Sequence, residues 1–269
     1  MEDPISSLLK SLNIQLGLEK AAQQPPRRIE DLVAGQEVMT NFGAVYLIES
    51  ETPFGSLHGE ELISRTDGFD LLHDWAGVRA DLSELLFFDT ETTGLSGGTG
   101  TLAFLIGYGY FSDSAFIVRQ LFLRPSDPEP AQLLEFSKAL EGKTCLVSYN
   151  GKAFDAPILK NRLVLHKLPR VLDGMQHIDM LHLARNIWKL RLESRGLKDL
   201  EREILHFGRD ADEVPGWMVP EVYADYLRRG EIDNIPGVIS HNRLDVLSLA
   251  AVYLHAARLL SDPRRWAAS

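Results

Sequence analysis

Leu85-Leu86-Phe87-Phe88-Asp89-Thr90-Glu91-Thr92-Thr93-Gly94-Leu95 decides how this chain is read. Four apolar residues in a row predict a buried strand, and the two acids at its end are one residue apart. Side chains alternate across a strand, so Asp89 and Glu91 point to the same side. Like charges held that close repel, and burial at a strand end sharpens the repulsion. A divalent cation is the ordinary remedy, because carboxylate oxygens suit magnesium or manganese. Alone, the pattern equally fits a solvated surface strand that binds nothing.

Two further acidic phrases extend the pattern. Leu146-Val147-Ser148-Tyr149-Asn150-Gly151 reads as a strand running into a turn, and Phe154-Asp155-Ala156-Pro157-Ile158-Leu159 opens a helix. Asp155 falls in the first helical turn, where a negative charge is favoured. Later, Ser240-His241-Asn242-Arg243-Leu244-Asp245-Val246-Leu247 belongs to a long apolar helix, with His241 and Asp245 four apart on one face. This ordered set resembles the DEDD (DnaQ-like) exonucleases of the ribonuclease H-like superfamily. The wording around Ile178-Asp179-Met180-Leu181-His182, Gly196-Leu197-Lys198-Asp199-Leu200 and Val214-Pro215-Gly216 is similar to its bacterial YprB-like subfamily.

The resemblance implies a metal-dependent 3′-5′ exonuclease that hydrolyses phosphodiester bonds, with DNA preferred over RNA and a role in DNA repair. It also implies two divalent cations, Mg2+ or Mn2+. Two ions about 4 Å apart can activate water and steady the leaving oxygen. In that scheme Asp89 bridges both ions, Glu91 and Asp245 complete the first site, and Asp155 holds the second. His241 orients or deprotonates the attacking water, since imidazole titrates near neutral pH. The family's usual histidine lies five residues before the last aspartate, and a tyrosine variant uses four. Here a histidine stands at the tyrosine spacing, which leaves general base, positioning group and ligand all open for it. Thr90, Thr92, Leu95 and Asn150 are implied as substrate contacts.

The glycine-rich run Gly94 to Gly100 superficially offers a dinucleotide-binding loop. Such a loop should open a helix, whereas Leu102-Ala103-Phe104-Leu105-Ile106-Gly107-Tyr108 is rich in strand formers. Carboxylates just ahead of it would also repel a pyrophosphate. A turn between antiparallel strands is the better expectation.

The chain of 269 residues is 45% hydrophobic and 25% charged, as expected for a globular domain with a small addition. The start lacks a basic leader, no run long enough to span a membrane is evident, and the single cysteine, Cys145, lies in an apolar run. A cytoplasmic protein is therefore expected. Net charge of −10 is unusual for a partner of nucleic acid. Residues 152 to 202 nevertheless hold eleven Lys/Arg against six Asp/Glu. That stretch is either a phosphate-tracking face, with Lys160, Arg185, Lys189 and Arg195 as contacts, or a set of ordinary solvated helix faces.

Residues 1–30 read as an amphipathic helix and a Pro-rich linker, 31–80 as a small β-rich appendage, and 81–262 as the ribonuclease H-like domain. The expected elements of that domain are strands at 85–89, 102–111, 115–123, 144–149 and 176–179, with helices at 129–141 and 154–166. A three-strand meander followed by α/β alternation fits an α/β fold with a mixed sheet flanked by helices. Asp179 is expected to cap a helix more than to join the site, and Trp188, Trp217 and Tyr149 are expected in the core.

The resemblance further implies a helicase-type repair partner. Little chain follows the last acidic helix, so a partner would dock on the core or the N-terminal region. Two other readings remain: an exoribonuclease of the same fold, and a nucleic-acid-binding or scaffold protein with a decayed site.

Overall fold

A computed structural model describes residues 27–65, 69–94, 100–209 and 213–262. The N-terminal helix expected before residue 27 lies outside these residues, as do Leu95 and most of the glycine-rich run. Nine strands occur among them: β1 (Gln36–Thr40), β2 (Gly43–Pro53), β3 (Leu57–His58), β4 (Glu61–Leu62), β5 (Leu85–Thr92), β6 (Ala103–Phe111), β7 (Ala115–Phe122), β8 (Cys145–Ser148) and β9 (Gln176–Asp179). The helices are α1 (Asp70–Ala76), α2 (Glu129–Ala139), α3 (Asp155–Leu165), α4 (Met180–Ile187), α5 (Leu197–Glu203), α6 (Val219–Arg229) and α7 (Ile235–Ser261).

Seven strands form one sheet in the order β1-β2-β7-β6-β5-β8-β9. β5, β6 and β7 make the antiparallel meander, while β8 and β9 add in parallel, as α/β connections through helices require. The sheet is thus mixed and flanked by helices, which is the expected ribonuclease H-like α/β fold. The region read as a small β appendage does form strands, but they continue the same sheet. β2 pairs with β7 from Tyr46 opposite Phe122 to Pro53 opposite Ala115. Val45, Tyr46, Leu47 and Ile48 are all buried, so both faces of β2 are covered.

Alternation along β5 sorts its residues between two cores. Leu85 and Phe87 face α7, in a cluster with Phe111, Phe116, Val246, Ala250 and Tyr253. Leu86 and Phe88 face α2 and α3, among Ile106, Phe136 and Leu159. Phe87 meets three rings edge-on or tilted near edge-on, with centroids 5.6 Å away at Phe111, 5.5 Å at Phe116 and 5.3 Å at Tyr253. Full burial of one such ring stabilises by roughly 1.5–3 kcal/mol, so β5 is anchored from both sides just before its acids begin.

Helix α7 is long and apolar enough to cross a membrane by length and composition, with a mean hydropathy of 1.4 over its best window. This departs from the sequence expectation that no such run exists. That window is 72% buried inside the fold, which accounts for its apolar character. Trp188 lies in the core as expected, but Trp217 is 72% exposed. It sits in a one-turn 3-10 segment, Gly216–Met218, that leads into α6 and has no face packed inward for so large a ring.

Candidate active site

The strand end, the start of α3 and the second turn of α7 meet at one place. Because Asp89 and Glu91 share the face of Phe87, they look toward α7. Thr90 looks the other way, and there it meets Asp155: its backbone N–H donates to Asp155 Oδ1 at 3.1 Å, and its hydroxyl donates to the same oxygen. Asp155 reaches this position because Asn150 adopts a left-handed backbone, φ 64°, and Gly151 follows it. A Cβ on Gly151 would stand 2.7 Å from Ser148 Oγ and 3.0 Å from Asp155 Oδ2, so the turn has room only for glycine. Asp179 completes the turn. It accepts from the backbone N–H groups of Asn150 at 2.8 Å, Lys152 at 3.2 Å and Leu181 at 3.1 Å. Capping of α4 is therefore its role, together with bracing the loop before Asp155.

From α7, Asn242 donates to Asp89 Oδ2 at 2.9 Å, and His241 turns its Nε2 toward Asp245 Oδ2 at 3.5 Å and Glu91 Oε1 at 3.9 Å. His241 Nδ1 lies 2.5 Å from Glu213 Oε1 without the alignment of a hydrogen bond. Arg209 is the cation of this corner. It contacts Asp245, pairs with Glu201 through both of that residue's oxygens, and reaches Glu213 at 2.5 Å. Its side chain is 6% exposed.

Electrostatics follow from this crowding. Burial pushes the Asp89 carboxyl well above the usual carboxylate range, and repulsion from Asp245, Asp155 and Glu91 adds to it; the Asn242 amide opposes the rise. Burial, then repulsion from Asp245 and Asp155, raises Glu91 in the same way. Asp155 is also raised by burial, partly offset by the hydrogen bonds from Thr90. Glu213 goes the other way. Burial pulls it up, but the Arg209 hydrogen bond and charge outweigh that and hold it below the usual value.

This donor set fits a hard divalent cation in its chemistry: buried oxygen ligands whose mutual repulsion calls for more positive charge than the corner contains. As placed, no three His, Cys, Asp or Glu side chains among the described residues stand close enough to clasp one ion. Arg209 supplies part of the missing charge and holds one oxygen of Asp245.

A cleft of about 350 Å3 opens beside the acids, lined by Thr90, Glu91, Thr92, Asn150, Asp155 and Phe154 among others. Of the expected substrate contacts, Thr90, Thr92 and Asn150 therefore line it, and Leu95 lies outside the described residues. Phe154, half exposed, gives the cleft an apolar flank. The basic stretch is largely spoken for. Lys160 pairs with Asp173, Arg162 with Glu129 and Arg202 with Asp199, while the Arg195 guanidinium bonds the carbonyls of Leu192 and Glu193. Arg185 and Lys189 are exposed.

The sequence reading missed Asn242, Arg209, Glu213 and Gln120, which donates to Asn242 Oδ1 at 2.9 Å. Asn242 had a usable signal, a polar residue between His241 and Asp245 in an apolar helix. Arg209 and Glu213 had none, because they come from an irregular connection of no fixed spacing.

The sheet order and the acidic corner define a ribonuclease H-like domain. A profile of the RNase_H superfamily matches residues 86–257, and the chain belongs to that superfamily. The ribonuclease H-like superfamily generally hydrolyses phosphodiester bonds, so membership fits action on nucleic acid with the help of divalent metal. The uncharacterized protein YprB of Bacillus subtilis (strain 168) is 36% identical over 224 residues, covering 80% of this chain and 54% of YprB. This chain thus spans about half the length of that curated relative. Among solved structures, the family B DNA polymerase of the hyperthermophilic archaeon Pyrobaculum calidifontis aligns with a TM-score of 0.48 at 17% identity. The alignment covers 80% of this chain and 29% of the polymerase.

Proposed function

We propose that the chain is a DEDD-type exonuclease that removes nucleotides from the 3′ end of DNA. The observation that supports this best is the mutual repulsion of Asp89, Glu91, Asp155 and Asp245 at one buried corner beside a cleft. Carboxylates whose ionisation is opposed by burial and by one another beside a cleft are a mark of a functional site, and cations would relieve that repulsion. In this reading Asp89, Glu91, Asp155 and Asp245 hold divalent cations, Mg2+ or Mn2+, which supply positive charge at the reacting phosphate and favour ionisation of water. The protein's own groups do the rest. Asn242 fixes the Asp89 carboxylate, Thr90 fixes Asp155, and His241 presents Nε2 to a water proton. Thr92 and Asn150 line the space for the terminal nucleotide. A helicase-type partner and a place in DNA repair belong to the same reading.

A second reading has two observations in its favour. Arg209 occupies Asp245 and no trio of ligands is closed among the described residues, as in a nucleic-acid-binding protein whose site has decayed.

Matched 5′-labelled DNA and RNA oligonucleotides, incubated with Mn2+ or Mg2+, separate these readings. A ladder shortening from the 3′ end, absent with EDTA and absent in Asp89→Ala, is expected, faster on DNA. Faster loss of RNA would make it an exoribonuclease. Binding without cleavage in every metal would favour the decayed site.

A further inference from the structure

We propose that Glu213 is a positioning residue that fixes the ring of His241, an inference that rests on the exonuclease reading above. Glu213 stands outside the acidic set that the family pattern supplies. Its Oε1 is shared between two partners, His241 Nδ1 at 2.5 Å and Arg209 Nη1 at 2.5 Å. Oε2 turns to Lys198 Nζ at 3.4 Å. With Arg209 beside it, Glu213 stays ionised and can only accept.

The imidazole has little freedom of its own. His241 is 6% exposed at its side chain, and among the described residues its Nδ1 meets no polar group in hydrogen-bonding alignment, although Glu213 Oε1 lies 2.5 Å from it. Gly216 also lies beside the ring, close enough that a Cβ there would be 3.6 Å from Nε2. Val214, next to Glu213, packs in the apolar cluster of Ile235, Val238 and Ile239 at the start of α7. The segment carrying Glu213 is thus pinned to the helix that carries His241.

An anionic acceptor at Nδ1 places the ring proton there. Nε2 is then left as the lone-pair nitrogen, and it is the atom that faces Asp245 and Glu91. If Nε2 takes a proton from water, the Glu213 charge stabilises the imidazolium that results. Carboxylates that hold a metal-ligating histidine matter by about 10–100-fold when removed, and a loss of that order is expected here. Arg209 serves the arrangement at one remove, since it holds both Glu213 and Asp245 while Glu201 anchors it from behind.

The test compares Glu213→Ala, Glu213→Asp and Glu213→Gln with the wild type. Metal-free protein labelled with 15N at histidine reports which ring nitrogen of His241 carries the proton, with His241→Gln used to assign its signals. Wild type and Glu213→Gln should show a protonated Nδ1, and Glu213→Ala should lose that signature. With Mn2+ and DNA, Glu213→Ala should lose about 10–100-fold in kcat while KM and Mn2+ affinity stay near wild type, and Glu213→Gln should recover part. Should Glu213→Ala not fold, Glu213→Asp, which keeps the charge and shortens the reach, should show a shifted His241 signature and a reduced kcat. An unchanged His241 signature in the shortened variants, or wild-type kcat in them, overturns the proposal. A wild type that cuts nothing, combined with a His241 signature that moves in Glu213→Ala, sinks the exonuclease reading and leaves Glu213 as the residue that holds the ring.

Discussion

Asn242 crosses from α7 to Asp89, donating from Nδ2 to the carboxylate at 2.9 Å and to the backbone carbonyl at 3.3 Å. Its own Oδ1 accepts from Gln120 Nε2 at 2.9 Å, and Gln120 also donates to the Ile239 carbonyl at 2.8 Å. Gln120 on β7, Asn242 on α7 and Asp89 on β5 are thus one buried polar chain that fixes helix to sheet at the site. Asn242 is fully buried. Asn242→Ala should therefore lose about 1–3 kcal/mol in urea unfolding, and Asn242→Asp should lose more, because it adds a further negative charge to the corner. Equal stability of the alanine and aspartate variants would show that Asp89 does not feel this residue.

Gly107 makes the crossing possible. It pairs with Asp89 across the β5–β6 ladder, and Asn242 lies directly over it. A Cβ there would sit 2.1 Å from Asn242 Oδ1 and 2.8 Å from Cγ. Neither atom can retreat without giving up Asp89 or Gln120. Gly107→Ala should cost at least the roughly 1–3 kcal/mol of a typical overpacked core, and Asn242→Ala should partly rescue it in the double variant. Additive losses in the double-mutant cycle would contradict the contact.

The raised carboxyls set the sign of the pH response in metal-free protein. Asp89, Glu91 and Asp155 bind protons more readily folded than unfolded. Stability from them is complete below the ordinary values of 3.8 and 4.5 and is lost as pH rises through the raised folded values. In EDTA, melting temperature should accordingly be lower at pH 8 than the rest of the protein's charges would dictate. Asp89→Asn should flatten that decline and stabilise the metal-free protein at pH 8, because the variant has no carboxylate there to ionise. Mn2+ should stabilise the wild type more than the variant. A steeper decline in Asp89→Asn would reverse the assignment.

Local signals carried most of this fold. The apolar run at 85–88, the strand formers of 102–111 and the acid opening the helix at 155 each stated an element, and β5, β6 and α3 follow those bounds closely. The side of the strand on which Asp89 and Glu91 lie was legible because alternation has no other solution. Long-range pairing was not. Nothing in Gly43–Pro53 says that it will join β7 rather than form a sheet of its own, since edge pairing depends on a surface made elsewhere in the chain. Arg209 shows the same limit at the site, because its three acids come from α5, α7 and the loop at Glu213. Trp217 was misplaced because a lone aromatic carries no periodicity to reveal its face.

Asp179 links the last of these layers to the chemistry. Three backbone N–H groups end on its carboxylate, two of them from the turn that delivers Asp155. Asp179→Ala removes an N-cap and leaves the turn's donors without a partner, so a loss of about 1–3 kcal/mol is expected in unfolding. Asp179→Asn keeps one acceptor oxygen and should lose less.

Phe154 precedes Asp155 on that same turn and remains half exposed on the wall of the cleft. Its ring contributes little to the core, so Phe154→Ala should leave the melting temperature within about a degree or two of wild type. In the proposed exonuclease, a solvent-facing ring beside the acidic corner is placed to stack on a base. Loss of one such contact costs about 1–3 kcal/mol. That is roughly a fivefold to 150-fold rise in Kd for a single-stranded oligonucleotide, measured by fluorescence anisotropy with Asp89→Asn as the background to prevent cleavage. The effect should be the same for different terminal bases, because every base presents a ring face. Unchanged Kd with Phe154→Ala would show that the ring makes no base contact.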